Sequence, residues 1–91
     1  MRLLLVGRWS GVTIGEIGAR FAEGEHSAPP APCKLVARWH DPSAKIFWVI
    51  VEDADVSVLQ EWMSRWSDII EWETHTALDD VEVGAMLGKL L

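Results

Sequence analysis

Lys45-Ile46-Phe47-Trp48-Val49-Ile50-Val51-Glu52-Asp53 is the stretch on which the fold turns. Six apolar residues run without a polar interruption between charged flanks, far short of the approximately 20 needed to cross a bilayer as a helix. Read as a strand, the run places Phe47, Val49 and Val51 on one side and Ile46, Trp48 and Ile50 on the other, so both faces are apolar. Upstream, Lys34 to His40 alternates Leu35, Ala37 and Trp39 with Lys34, Val36, Arg38 and His40, and Asp41-Pro42-Ser43-Ala44 is a tight-turn sequence. The two arms form a hairpin. Downstream, Asp53 or Asp55 caps a helix in which Val56, Leu59, Trp62 or Met63, and Trp66 recur at helical spacing, and Ser67-Asp68 ends it.

The remaining elements fall on either side of this unit. Residues 2 to 9 form an apolar strand closed by Ser10-Gly11, and Ile14, Ile17 and Phe21 mark a short amphipathic helix despite Gly15 and Gly18. Glu23 to Cys33, with Pro29, Pro30 and Pro32, sustains neither helix nor central strand and makes the longest exposed loop. Ile69 to Thr76 alternates Ile70, Trp72 and Thr74 with Ile69, Glu71 and Glu73 as a fourth strand, and Asp79 with Glu82 three residues on starts a final helix as in a capping box. The order β-α-β-β-α-β plus a C-terminal helix predicts an α+β, ferredoxin-like domain over residues 1–91, with an antiparallel sheet in the order 4-1-3-2 and both main helices on one face.

That leaves one sheet face bare. At about 25 cal/mol per Å², a Trp or Phe burying about 150 to 250 Å² gains roughly 4 to 6 kcal/mol as an upper value, comparable to the whole net stability of a small domain. Leaving Trp48 and its neighbours in water is therefore costly, and the simplest cover is the same face of a second copy across a two-fold axis. A homodimer is expected. The competing cover is the C-terminal helix, whose Val81, Val83, Met86, Leu87, Leu90 and Leu91 would fold back over the sheet or exchange between subunits.

Composition narrows the partners. Eight Lys plus Arg against 14 Asp plus Glu give a net charge of −6 in 91 residues, which disfavours nucleic acid and anionic membranes. One cysteine, Cys33, excludes an internal disulfide and a multi-cysteine metal cluster. Arg8 cuts the apolar N-terminus short of a secretory h-region and no small-residue cleavage site follows, so a cytoplasmic location is expected.

The series Trp39, Phe47-Trp48-Val49-Ile50-Val51-Glu52, Asp55, Leu59, Glu61-Trp62, Arg65-Trp66-Ser67-Asp68-Ile69 and Trp72-Glu73 resembles the DUF3303 family of small bacterial proteins, closely over residues 34–78 and more loosely in the first strand. The family's polar Gln is replaced at Val49, and no correspondence is found between Gly11 and Cys33. The resemblance implies a branch of the dimeric α+β barrels, in which two ferredoxin-like subunits join sheet to sheet, and it carries no defined activity.

Six tryptophans and no tyrosine are the most unusual feature. Trp39, Trp48, Ile50, Trp62 and Trp66 are the candidate walls of a cavity between sheet and helices for a small apolar or aromatic ligand, with Glu52 as its polar anchor. Ordinary core and dimer packing is the competing account of each Trp, and pairing with an arginine or a helix terminus is that of Glu52. A second reading is a cofactor-free enzyme of the dimeric barrel kind, with Glu52 accepting a proton and His40 assisting on an activated carbon acid. A third is an adaptor whose acidic surface recruits a basic protein. His26 and His75 lack metal-face spacing, Thr13 to Gly18 misses the first glycine of a dinucleotide fingerprint, and no serine stands in a nucleophile elbow. No catalytic residue, metal or cofactor is assigned, and a non-catalytic binding or interaction module is preferred.

Overall fold

The computed structural model describes residues 1–91. The chain runs β1 (Leu3–Trp9), α1 (Ile14–Ala22), β2 (Lys34–Asp41), β3 (Ile46–Glu52), α2 (Val56–Ser64), β4 (Ile70–Thr76) and α3 (Asp80–Leu90). The four strands form one sheet in the order β2-β3-β1-β4, every neighbour antiparallel. This is the expected α+β, ferredoxin-like arrangement.

Each helix begins where a side-chain oxygen satisfies otherwise unpaired backbone N–H groups. The Thr13 hydroxyl accepts from the Glu16 N–H at 3.1 Å while Glu16 accepts from the Thr13 N–H at 3.0 Å. Asp55 accepts from the Val58 N–H at 3.1 Å, and Asp79 and Glu82 repeat the reciprocal box at 2.8 and 3.1 Å. α2 stops at Ser64, earlier than the spacing of Trp66 implied, because polar groups capture its last carbonyls. The Ser67 hydroxyl and the Trp72 indole N–H both donate to the Met63 carbonyl, each at 3.0 Å. Trp66 consequently sits in the turn that follows the helix.

The core lies between the helices and one sheet face. Leu3, Leu5 and Trp9 of β1, Phe47, Val49 and Val51 of β3 and Ile70 of β4 meet Ile17 of α1 and Leu59, Trp62 and Met63 of α2, with Trp66 and Cys33 completing it. Alternation along β3 is strict: every second residue is buried and the ones between are half-exposed. In β2 the alternation breaks. A bulge between Leu35 and Ala37 sets Leu35 opposite Val51, on the helix face, and Ala37 opposite Ile50, on the other. Leu35 and Ala37 therefore do not share a side as simple alternation predicted, because one extra residue reverses every side chain beyond it.

The C-terminal helix does not fold back over the sheet. None of its residues is buried, and Leu90 is 73% exposed. The molecule measures 49 × 28 × 18 Å with a radius of gyration of 14.9 Å, against about 12 Å for a compact chain of this length. Seven-residue strands span about 24 Å and an 11-residue helix about 16 Å, so only a helix projecting past the end of the sheet gives the long axis its length.

Candidate functional site

Register reads out the open face in three rows, taken across β2, β3, β1 and β4. They are Ala37, Ile50, Leu4 and His75; then Trp39, Trp48, Val6 and Glu73; then Asp41, Ile46, Arg8 and Glu71. In the first two rows the first three strands thus present an apolar field, which Asp41 and Arg8 end in the third row and which β4 borders with acid. Trp39 and Trp48 are directly opposed across the β2 and β3 strands, and Trp39 is 59% exposed. Arg8 reaches Glu73 at 3.6 Å and His75 reaches the other oxygen of Glu73 at 2.8 Å, so the polar border is internally paired. Those two contacts hold the Glu73 carboxyl below the usual range, His75 contributing the most.

The six candidate ligand residues separate onto the two faces. Trp39, Trp48, Ile50 and Glu52 follow the open-face phase, whereas Trp62 and Trp66 are buried on the helix side. The single chamber expected between sheet and helices is not formed. Phe21, Arg38, Phe47, Trp62, Trp66, Ile70 and Trp72 close on one another and leave no volume that a water molecule could enter. Their rings meet edge-on or tilted: Phe47 with Trp72 at 5.4 Å, Trp62 with Trp72 at 5.4 Å and Phe21 with Trp66 at 4.8 Å between centroids. Aromatic side chains here fill the space that the sequence reading left for a ligand. The indole N–H groups of Trp62 and Trp66 both donate to the His26 carbonyl, at 2.8 and 2.9 Å. Together with Arg38, which donates to the Ser27 carbonyl, they pin the proline-rich loop against the helix layer. This role was invisible in the sequence, where the loop showed no alignment and no periodicity.

Glu52 is engaged with an arginine. Arg2 donates from Nε to Glu52 at 3.3 Å, from Nη1 to Glu82 at 2.6 Å and from Nη1 to the Ala77 carbonyl at 3.2 Å. The guanidinium pKa is raised by Glu82 first and by Glu52 second. Arg2 thus joins the end of β3 to the first turn of α3. The proton-transfer pair Glu52 and His40 is not assembled. His40 stands opposite Phe47, five residues from Glu52 along β3, or about 17 Å. Its ring lies on the helix side of the sheet, 6.3 Å from Phe21 and 5.9 Å from Phe47 between centroids.

Burial lowers the His40 pKa from its ordinary 6.5, and the neighbouring Arg38 charge lowers it further. The folded protein therefore binds this proton less well than the unfolded chain. The stability associated with neutral His40 is complete above pH 6.5 and is lost as pH falls through the unfolded value toward the folded one. Urea unfolding of His40→Gln should show a flatter pH dependence than the parent just below pH 6.5; an unchanged slope would show that His40 titrates alike in both states.

A groove of about 390 Å³ runs between the proline-rich loop and α2, lined by Glu25, His26, Pro30, Glu61, Trp62 and Arg65 among others. Its charges are mixed, and Arg65 already reaches Glu61 at 3.4 Å. No cluster of three or more His, Cys, Asp or Glu side chains is arranged to hold a metal ion. No helix is long and apolar enough to cross a membrane.

The DUF3303 profile, that of a domain of unknown function, matches residues 1–91. The chain belongs to this family. Membership extends beyond the resemblance read from residues 34–78: the loop from Gly11 to Cys33, where no correspondence was found, lies inside the DUF3303 match. Comparison with curated proteins and with solved structures brings no match.

Proposed function

We propose that this DUF3303 protein is a homodimeric binding module in which two copies pair through their open sheet faces. Trp39, Trp48 and Ile50 wall the space between the sheets, where a small apolar or aromatic molecule is held. The observation that carries this reading is the apolar field formed by Ala37, Trp39, Trp48, Ile50, Leu4 and Val6 over β2, β3 and β1, on a face that no helix of the same chain covers. Each large side chain removed from water there contributes about 1.5 to 3 kcal/mol, and a two-fold axis makes every contact count twice. A second copy satisfies the charges as well. With the axis along the strands, the acidic β4 edge of one sheet lies over β2 of the other, whereas an axis across the strands would oppose Glu71 and Glu73 to themselves. The net charge of −6 argues against the nucleic acid that stacked aromatic side chains on a sheet otherwise attract.

Sedimentation equilibrium at micromolar concentration should give a dimer, and Trp48→Asp should give a folded monomer, since the carboxylate would be buried without a partner. Titration with a panel of aromatic compounds should quench part of the tryptophan emission saturably, and Trp39→Ala should remove that part. A parent chain that sediments as a monomer overturns the pairing, and a dimer that no compound in the panel quenches overturns the ligand chamber.

A further inference from the structure

The loop between α1 and β2 is anchored at His26, Ser27 and Cys33. Trp62 and Trp66 donate their indole N–H groups to the His26 carbonyl at 2.8 and 2.9 Å, Arg38 donates to the Ser27 carbonyl, and the Asp55 N–H donates to Cys33 Sγ at 3.4 Å. Between these anchors Pro29 is buried, and Pro29, Pro30 and Pro32 restrict the backbone. The groove of about 390 Å³ that the loop leaves against α2 is therefore largely preformed, which lowers the cost of binding in it. Its volume falls in the range of small-molecule sites, about 300 to 1,000 Å³. Ala28, Pro30, Ala31 and Val58 give it an apolar wall, and Glu25, His26, Glu61 and Arg65 give it a polar end. A smaller cavity of about 90 Å³ shares Glu25, His26 and Arg65 with that end and reaches on to Arg20 and Glu23.

The polar end is negative. Arg65 is taken by Glu61 at 3.4 Å and Arg20 by Asp68 at 2.8 Å, whereas Glu23 and Glu25 make no ion pair. α1 and α2 both finish here, with Glu23 and Arg65 as their C-terminal caps, and a helix C-terminus adds partial negative charge. Arg20 shows which sign of charge these helix ends draw, since its Nη2 donates to the Arg65 carbonyl at 2.5 Å. A carboxylate or phosphate entering the groove would meet two unpaired acids while both guanidiniums are engaged. A bare metal ion fits no better: no three His, Cys, Asp or Glu side chains are arranged to hold one, and it would leave the apolar wall uncovered. We infer that the groove binds a small organic ammonium compound, its charged head beside Glu25 and its apolar arm between Pro30 and Val58. The net charge of −6 draws such cations toward the chain. The groove lies on the helix side of the sheet, so this site is independent of the pairing and of the ligand chamber on the open face.

The probe is phenethylamine, followed in nitrogen–proton correlation spectra of the full chain. It should saturably move the indole N–H resonances of Trp62 and Trp66 and the backbone N–H resonances of Glu25, His26 and Ala31. The indoles of Trp39 and Trp48 report the open face, so the two sites are read separately. Phenethyl alcohol, which lacks the charge, and ethylamine, which lacks the ring, should each bind the groove at least about threefold more weakly, and hydrocinnamate, with the charge reversed, should leave the groove resonances in place. Glu25 is exposed and its side chain holds no partner, so Glu25→Gln should fold as the parent does by circular dichroism and raise the phenethylamine Kd about threefold, the scale of one solvent-facing charge pair. Groove resonances that phenethylamine does not move, or that hydrocinnamate moves equally, overturn the site, as does an unchanged Kd in Glu25→Gln. Shifts confined to Trp39 and Trp48 overturn it too and leave the open-face chamber standing.

Discussion

Phe47→Ala should lower the unfolding free energy by about 3 to 5 kcal/mol, the range for truncating a buried aromatic. Against a net stability of roughly 5 to 15 kcal/mol for a domain, that is a large share. The ring is buried at the centre of the helix-facing side and is met on three sides by Trp72 at 5.4 Å, His40 at 5.9 Å and Trp9 at 6.5 Å between centroids. Its removal leaves a hole between a strand and two tryptophans whose indoles are held elsewhere; Trp72, for instance, is fixed to the Met63 carbonyl at 3.0 Å. Such a site relaxes little, which places the cost toward the upper end of the range. Chemical denaturation measures it directly. A loss below about 1.5 kcal/mol, the size expected for a volume-conserving exchange, would show that the surrounding rings collapse into the gap.

Gly7→Ala is expected to destabilise by about 1 to 3 kcal/mol or more, from overpacking alone. Gly7 lies opposite both Phe47 and Trp72 in the middle of the sheet, and a methyl group built on it would overlap the Phe47 ring. Glycine normally weakens a strand interior; at this position its missing side chain is what lets the Phe47 ring lie flat across β1. The two changes are therefore coupled. In a double-mutant cycle, Gly7→Ala combined with Phe47→Ala should cost clearly less than the sum of the single variants, because the added methyl occupies part of the space the ring vacates. Additive costs would mean that Phe47 swings aside in the Gly7→Ala variant at no expense, and that the close approach of ring and backbone is incidental.

Much of this architecture was legible in the residues. The apolar run from Ile46 to Val51, the turn at Asp41 to Ala44 and the helical spacing through Leu59 and Trp62 are local patterns with periods of their own, and each became the element they predicted. The Asp55 and Asp79 caps followed from side-chain chemistry within three residues. Features depending on the meeting of distant segments were not legible. The bulge after Leu35 has no signature of its own in β2. The early end of α2 depends on a hydrogen bond from Trp72, nine residues away. The binding of the proline loop depends on Trp62 and Trp66, which lie 36 and 40 residues from His26.

The candidate site shows the same division. Alternation placed Trp48, Ile50 and Glu52 on one face, because period-two geometry is a property of the strand alone. It gave no way of telling which face the helices would take. Trp39, Trp48 and Ile50 were grouped with Trp62 and Trp66 as walls of one cavity between sheet and helices, and packing left only Trp62 and Trp66 on that side, with the other three on the open face. Glu52 could be marked as a strand-end carboxylate from sequence, but its arginine comes from position 2, fifty residues earlier in the chain. The set and order of elements and the two-sided apolarity of β3 follow from residue pattern alone, since these depend on backbone period and on contacts within a few residues. Which tryptophans fill the core, which lie on the open face and where the last helix points are outcomes of volume filling and of hydrogen bonds between residues that folding alone brings together.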